Sequence, residues 1–293
     1  MKRGITLLLA VVVFFVGDRI GGRILDNLLY RSPQRFPTLY SGRFDADTVV
    51  IGNSRGLNML DWPFAEQESD TSIINLSHNA MPPQIARAIF ADYLEHNPKP
   101  KRLVIEVSNV TTPTAEGTML DYKPFWGRSD RLRNLGKAFS PLTAAACRVT
   151  HLYQYNSEMF LRAMSYLASG NTDQNAGMRM MIPPALVEET EAMEPIELTA
   201  DPQEVEALRG LVDDARAAEV DVQLVLAPYL PAYAARISNL DEFVNDMSEA
   251  LGQEVQDSSR SLDATDEFAD RVHMNPKGTR KFTQQLIDQG ILK

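Results

Sequence analysis

Four short apolar runs separated by amphipathic stretches constrain this chain more than any other feature. Asp47–Ile51, Ser72–Leu76, Lys101–Val107 and Val222–Ala227 each read as a strand, and Glu254–Ser258 is a weaker fifth. Between and after them, Pro82–His96, Pro202–Ala218, Asn239–Leu251 and Pro276–Gln289 read as helices, three of them with Pro in the first turn. Strands that are apolar throughout are buried on both faces, which calls for a mostly parallel sheet with helices on each side. The expected fold is therefore α/β, over residues 45–293. The rhythm breaks between about 111 and 199, where Pro recurs at 113, 124, 141, 183, 184 and 195. That stretch is expected to be one long insertion between strands three and four, at the strand carboxyl ends where ligands bind in such sheets.

The amino-terminal region sets location. Lys2 and Arg3 precede Gly4–Gly17, which carries no charge. As a helix this run spans about 21 Å, short of the roughly 30 Å hydrocarbon core. Length alone permits a signal-peptide core, a short anchor or a buried helix. The order of charged start, apolar run and polar sequel is that of a secretory or anchoring segment. Val16-Gly17-Asp18 and Ile20-Gly21-Gly22 are poor cleavage sites, so residues 1–29 are expected to be an uncleaved single-pass anchor. Lys2 and Arg3 would then lie in the cytoplasm and the rest in the periplasm or outside the cell; Arg19 and Arg23 on the far side run against that orientation. Residues 30–44, rich in Pro, Ser and Arg, read as a linker.

Charge excludes one class of partner. With 29 Lys+Arg against 39 Asp+Glu the net charge is −10, the reverse of what nucleic acid demands. The imbalance is regional: Glu188 to Asp221 hold 12 acidic residues against Arg209 and Arg216, whereas Lys123 to Arg148 hold six basic residues and one acidic. Such segments are either solvated faces or, for the basic one, a surface for lipid headgroups or an anionic glycan. The single Cys147 excludes an intramolecular disulfide, no His/Cys/Asp cluster has metal-ligand spacing, and no Gly-Lys-Ser/Thr follows the first glycine turn. Neither a metal nor another cofactor is expected.

Two short motifs carry chemistry. Ser54 directly follows the first strand in Gly52-Asn53-Ser54-Arg55-Gly56, which would present its hydroxyl at the carboxyl edge of the sheet. Alone, that is equally an N-cap serine. Far along the chain, Asp270-Arg-Val-His273 places a carboxylate three residues before a histidine, just ahead of the last helix. Nucleophilic serine chemistry needs a base and a group to orient it, and this loop supplies both types.

Taken together, these segments make the chain resemble the SGNH/GDSL hydrolases. The usual Gly-Asp-Ser stands as Gly52-Asn53-Ser54, the turn after the second strand as Asn75-Leu-Ser77-His-Asn-Ala80, and the third block as Val107-Ser108-Asn109-Val110. Asp270-Arg-Val-His273 matches the last block fully, with the Asn275-Pro-Lys-Gly tail that is usual there. The resemblance implies a flavodoxin-like three-layer fold, with Ser54 as nucleophile, His273 as general base and acid, and Asp270 as its orienting carboxylate. It implies an oxyanion hole from the N–H of Ser54, the N–H of Ser77 and the side chain of Asn109. Asn53, Ser77 and Val110 depart from the family pattern at these blocks. Arg55 and His78, beside the motifs, are candidate substrate-binding residues. The alternative for Arg55 is an exposed turn arginine or a structural ion pair, and for His78 a histidine that only lines the pocket.

The anchor and the phrase Ile105-Glu-Val-Ser-Asn109 look closest to extracytoplasmic members that work beside membrane-bound O-acyltransferases. That branch implies an esterase or O-acyltransferase acting on an acyl group, most simply acetyl, of a cell-surface polysaccharide. Its partners would be the lipid bilayer and a membrane-bound acyltransferase or other membrane protein. The alternative is an inactive SGNH-fold subunit that serves as a scaffold in a membrane assembly.

Overall fold

A computed structural model describes residues 2–111, 115–170 and 177–292. Met1, from the charged start, and 112–114 and 171–176, from the expected insertion, lie outside the described residues. The first part of the chain forms α1 (Lys2–Leu29), α2 (Arg35–Tyr40), β1 (Thr48–Ile51), α3 (Ser54–Asn58), α4 (Trp62–Ser69), β2 (Ile73–Asn75), α5 (Pro83–His96) and β3 (Arg102–Glu106). Then come α6 (Glu116–Asp121), α7 (Asp130–Phe139), α8 (Pro141–Val149), α9 (Glu158–Ser169) and α10 (Pro184–Glu191). The last part holds α11 (Pro202–Ala217), β4 (Asp221–Leu226), α12 (Pro231–Ala234), α13 (Leu240–Leu251), β5 (Val255–Asp257) and α14 (Pro276–Asp288). Two compact units result: a helical unit of Met1–Phe44 and Ala115–Asp173, and a sheet unit of Asp45–Thr114 and Gln174–Lys293.

In the sheet unit all five strands pair in parallel, in the order β2-β1-β3-β4-β5. This is one of the two common doubly wound orders, with its switch point between β1 and β3. Thr48–Ile51 is buried along its whole length, as a strand covered on both faces must be. Alternate residues point to opposite faces. Val50, Val104 and Val225 share one core with Ala65 of α4 and Phe282, Leu286 and Ile287 of α14. The intervening side chains Val49, Leu103 and Leu224 are buried on the other face, where α5, α11 and α13 pack as a layer. All five expected strands and the four expected helices are present, each within a residue or two of its sequence bounds.

The helical unit differs from expectation in two ways. Residues 30–44 are not a linker: α2 is almost wholly buried, with Tyr40 stacked on Phe125 at 5.0 Å and Phe36 edge-on to Tyr122 at 5.4 Å. Phe36, Leu39 and Tyr40 lie on one helical face, and burying them outweighs the Pro and Ser content that suggested a linker. Nor is the insertion one body, because 115–170 packs with the amino-terminal residues whereas 177–199 belongs to the sheet unit. Phe125 and Trp126 are accordingly core residues.

The long helix α1 changes character along its length. Its Arg3–Leu29 stretch is long and apolar enough to cross a membrane, with an 18-residue window of mean hydropathy 1.9, and Arg3–Gly17 are exposed on every side. From Asp18 onward it packs against the turn His151–Tyr155 and against α9. Asp18 accepts hydrogen bonds from the N–H of His151 (2.8 Å) and of Leu152 (3.0 Å), while Tyr155 Oη donates to the Gly22 carbonyl at 3.1 Å. A Cβ on Gly22 would stand 2.9 Å from His151 Cβ, so glycine here permits the approach at a cost of about 1 kcal/mol in helix propensity. Gly22→Val is expected to destabilise this unit by about 1–3 kcal/mol through overpacking. Thermal melting followed by Trp126 emission in a Trp62→Phe background is the check, and an unchanged midpoint would refute the close-approach argument.

Candidate active site

The site is built at the carboxyl edge of the sheet, beginning where β1 ends. Asn53 caps α3, its Oδ1 accepting from Arg55 N–H at 2.8 Å, and this places Ser54 as the first helical residue. The turn is tight because Gly52 and Gly56 lie against β3. A Cβ on Gly52 would come within 2.9 Å of Glu106 Cβ, and one on Gly56 within 2.8 Å of Ser77 Oγ. The Ser54 N–H, an orphan of the first helical turn, makes no hydrogen bond among the described residues.

The histidine loop is organised by two side chains. Asn275 caps α14 through Oδ1, which accepts from Lys277 N–H (3.0 Å) and Gly278 N–H (3.2 Å). Its Nδ2 donates back to the carbonyls of Asp266 and Phe268, at 2.8 and 3.1 Å, clamping the loop start to the helix start. Asp270 does the rest. Its Oδ1 accepts from the N–H of Val272 and of His273, both at 2.8 Å, and its Oδ2 meets His273 Nδ1 at 2.8 Å. Thr279 Oγ1 then donates to the Asn58 carbonyl at 3.0 Å, tying α14 to the end of the serine-bearing α3.

These ties bring residues 219 positions apart together: His273 Nε2 lies 2.8 Å from Ser54 Oγ. A carboxylate only accepts, so a neutral His273 carries its proton on Nδ1, toward Asp270. Nε2 is then left as the acceptor of the Ser54 O–H. Burial pushes the Asp270 carboxyl up. Hydrogen bonds from the His273 ring and from the N–H of Val272 and His273 outweigh that and leave it below the usual carboxylate value. Ser54 and His273 are both partly exposed to solvent.

The other predicted residues are placed differently. Ser77 N–H is engaged by Asn75 Oδ1 at 2.8 Å, an Asx turn, and so is not an open oxyanion donor. The N–H groups this turn leaves without a partner among the described residues are those of Asn79 and Ala80, both exposed, with Ala80 left-handed at φ 52°. Asn109 follows β3 at the same sheet edge, fully buried, and neither atom of its amide group finds a hydrogen-bond partner among the described residues. His78 is buried, and its N–H donates to the Gly52 carbonyl at 3.2 Å, bracing the serine turn.

Arg55 is not a substrate-facing residue. Its side chain turns inward, 5% exposed, with Nη2 donating to the Ala227 carbonyl and, at 3.3 Å, to that of Pro228. The guanidinium sits 3.5 Å over the Tyr229 ring, and Nε is 3.7 Å from Glu106 Oε1. Glu106 is wholly buried and also accepts from Ser108 Oγ at 2.7 Å. A carboxylate closing an otherwise apolar strand needs a buried cation, and that pairing was the signal available in Ile105-Glu106 and missed. Trp62 is likewise structural, its Nε1 donating to the Ile73 carbonyl at 2.9 Å. Among the described residues no group of three or more His, Cys, Asp or Glu side chains is arranged to hold a metal ion.

No protein-family model matches this chain, and no curated protein matches it.

Proposed function

We propose that the chain is a membrane-anchored SGNH-type serine enzyme that cleaves or transfers an ester-linked acyl group through Ser54. The observation that carries this reading is the continuous Asp270–His273–Ser54 relay, with both contacts at 2.8 Å. The β2-β1-β3-β4-β5 order supports it, with the serine after β1 and the histidine loop before the last helix. In the first step Ser54 Oγ bonds to the ester carbonyl carbon while His273 Nε2 takes the serine proton. The tetrahedral intermediate expels the alcohol, which leaves with that proton, and an acyl-serine remains. Water as second acceptor makes the protein an esterase; a sugar hydroxyl makes it a transferase. The acetyl group of a cell-surface glycan is the substrate class we assign. α1 crosses the cytoplasmic membrane once, the sheet unit works in the periplasm or outside the cell, and a membrane-bound acyltransferase is the partner.

A second reading has one observation behind it. The engaged Ser77 amide and the enclosed Asn109 leave two of the three expected oxyanion donors closed, which suits a scaffold that has kept the fold. One experiment separates the two. A fluorophosphonate probe is expected to label the wild-type chain and not Ser54→Ala, with p-nitrophenyl acetate hydrolysis lost in parallel. Labelling of both proteins alike would exclude Ser54 as nucleophile. Absence of both signals from the wild type would leave the scaffold.

A further inference from the structure

The helical unit contains a cavity of about 570 Å³ formed by α7, α8 and the turn His151–Tyr155. Among the described residues its charged lining has one sign, Arg133, Lys137 and Arg148, with no carboxylate, and His151 stands beside them. Arg133 is held by Asp130 at 2.6 Å, whereas Lys137 and Arg148 are exposed and make no ion pair among the described residues. In the wall, Trp126 is buried with an Nε1–H that finds no hydrogen-bond partner among the described residues. Cations beside an unpaired buried donor suit a ligand rich in acceptor oxygens.

The cavity's level along α1 is fixed by hydrogen bonds. Asp18 binds the N–H of His151 and of Leu152, and Arg19 Nη2 donates to the Val149 carbonyl at 3.2 Å. His151, which lines the cavity, therefore lies against Asp18–Gly22 of the long helix, and Val149, the neighbour of the lining Arg148, meets Arg19. The uncharged run of that helix ends at Gly17, and a span of about 20 residues counted from Arg3 ends near Arg23. The headgroup layer thus falls between residues 18 and 23, the stretch against which the lining residue His151 packs. Nearby, α8 buries none of its residues, Leu142 is 86% exposed, and Val149, Leu152 and Tyr153 are exposed apolar side chains.

We propose that this cavity holds the phosphate of an anionic phospholipid in the membrane that α1 crosses, with α8 lying in the interface. The assignment rests on the reading of α1 as a membrane span. Lys137 and Arg148 meet the phosphate charge and Trp126 Nε1–H donates to one of its oxygens. Val149 and Leu152 meet the acyl chains, an arrangement a free phosphate ion does not use.

The full chain in mild detergent, incubated with equal amounts of phosphatidylglycerol and phosphatidylcholine, tests this when the retained lipid is quantified by mass spectrometry. The wild type is expected to retain the anionic lipid by about tenfold over the neutral one. In Lys137→Gln/Arg148→Gln, two exposed positions, the preference should fall to within about twofold. Equal retention by the wild type, or an undiminished preference in the double variant, overturns the proposal. So does displacement of the bound lipid by excess inorganic phosphate, which would assign the cavity to soluble anions. Flotation of both proteins on neutral phosphatidylcholine vesicles checks α1 independently. Failure of both to float removes the span and the lipid assignment with it, whereas floating without selectivity overturns the cavity assignment alone.

Discussion

Glu106→Ala is expected to lower the stability of the sheet unit by about 3–5 kcal/mol, the usual cost of stranding one member of a buried ion pair. Glu106 is wholly buried and joins three chain segments. Arg55 of the serine helix faces Oε1, Ala227 N–H after β4 reaches the same oxygen at 3.4 Å, and Ser108 Oγ donates to Oε2. Removing the carboxylate leaves the Arg55 guanidinium with the Ala227 and Pro228 carbonyls and the Tyr229 ring, and no counter-charge. Arg55→Met combined with Glu106→Leu is expected to regain most of the loss, because neither charge is then buried alone. Urea unfolding followed by Trp62 emission in a Trp126→Phe background reads the sheet unit by itself. A Glu106→Ala penalty below about 1 kcal/mol, or a double variant no better than the single one, would show that the pair is not the clasp described.

What could be read from the chain beforehand follows a physical division. Continuous apolar runs and amphipathic faces are local, and they located every strand of the sheet and the helices α5, α11, α13 and α14. The Ser54 and Asp270–His273 motifs were legible for the same reason, since each is a short constellation whose chemistry is intrinsic to its residue types. The misreadings concern partners distant in sequence. Arg55, a charged residue in a turn, reads as exposed or ion-paired, and its partner Glu106, 51 positions on, is legible only once the chain is folded. Residues 30–44 look like a linker because their composition is that of a loop, although Phe36, Leu39 and Tyr40 stand at helical spacing and pack on Phe125, far along the chain. Ser77 is different: the Asn75 side chain two residues earlier is a local cue for an Asx turn, and it explains the closed amide without any tertiary contact.

Asp270→Asn is expected to reduce kcat/KM for an activated ester by about 10³–10⁴-fold with the fold retained, a size seen when an orienting carboxylate of a serine triad becomes an amide. The geometry explains why so small a change matters. Asp270 uses one oxygen for the N–H of Val272 and His273 and the other for the ring. Asn has one acceptor, and the two backbone N–H groups hold it, so the ring nitrogen faces an NH₂ donor. His273 then carries its proton on Nε2 and presents N–H, rather than a lone pair, to Ser54 Oγ. Loss of the acceptor slows acylation, and it slows release of the acyl group as well, because Nε2 must also take the proton of the incoming water or sugar hydroxyl. Stability supplies a second readout with a defined sign. The Asp270 carboxyl is depressed in the fold, so its ionised form stabilises the protein above the unfolded value of about 3.9, and that contribution disappears as pH falls through the folded value. Wild type should therefore exceed Asp270→Asn in thermal stability near neutral pH, with the two curves converging under acid. Parallel curves across that range, or acylation within about tenfold of wild type, would place Asp270 outside the relay and leave His273 oriented by the loop backbone alone.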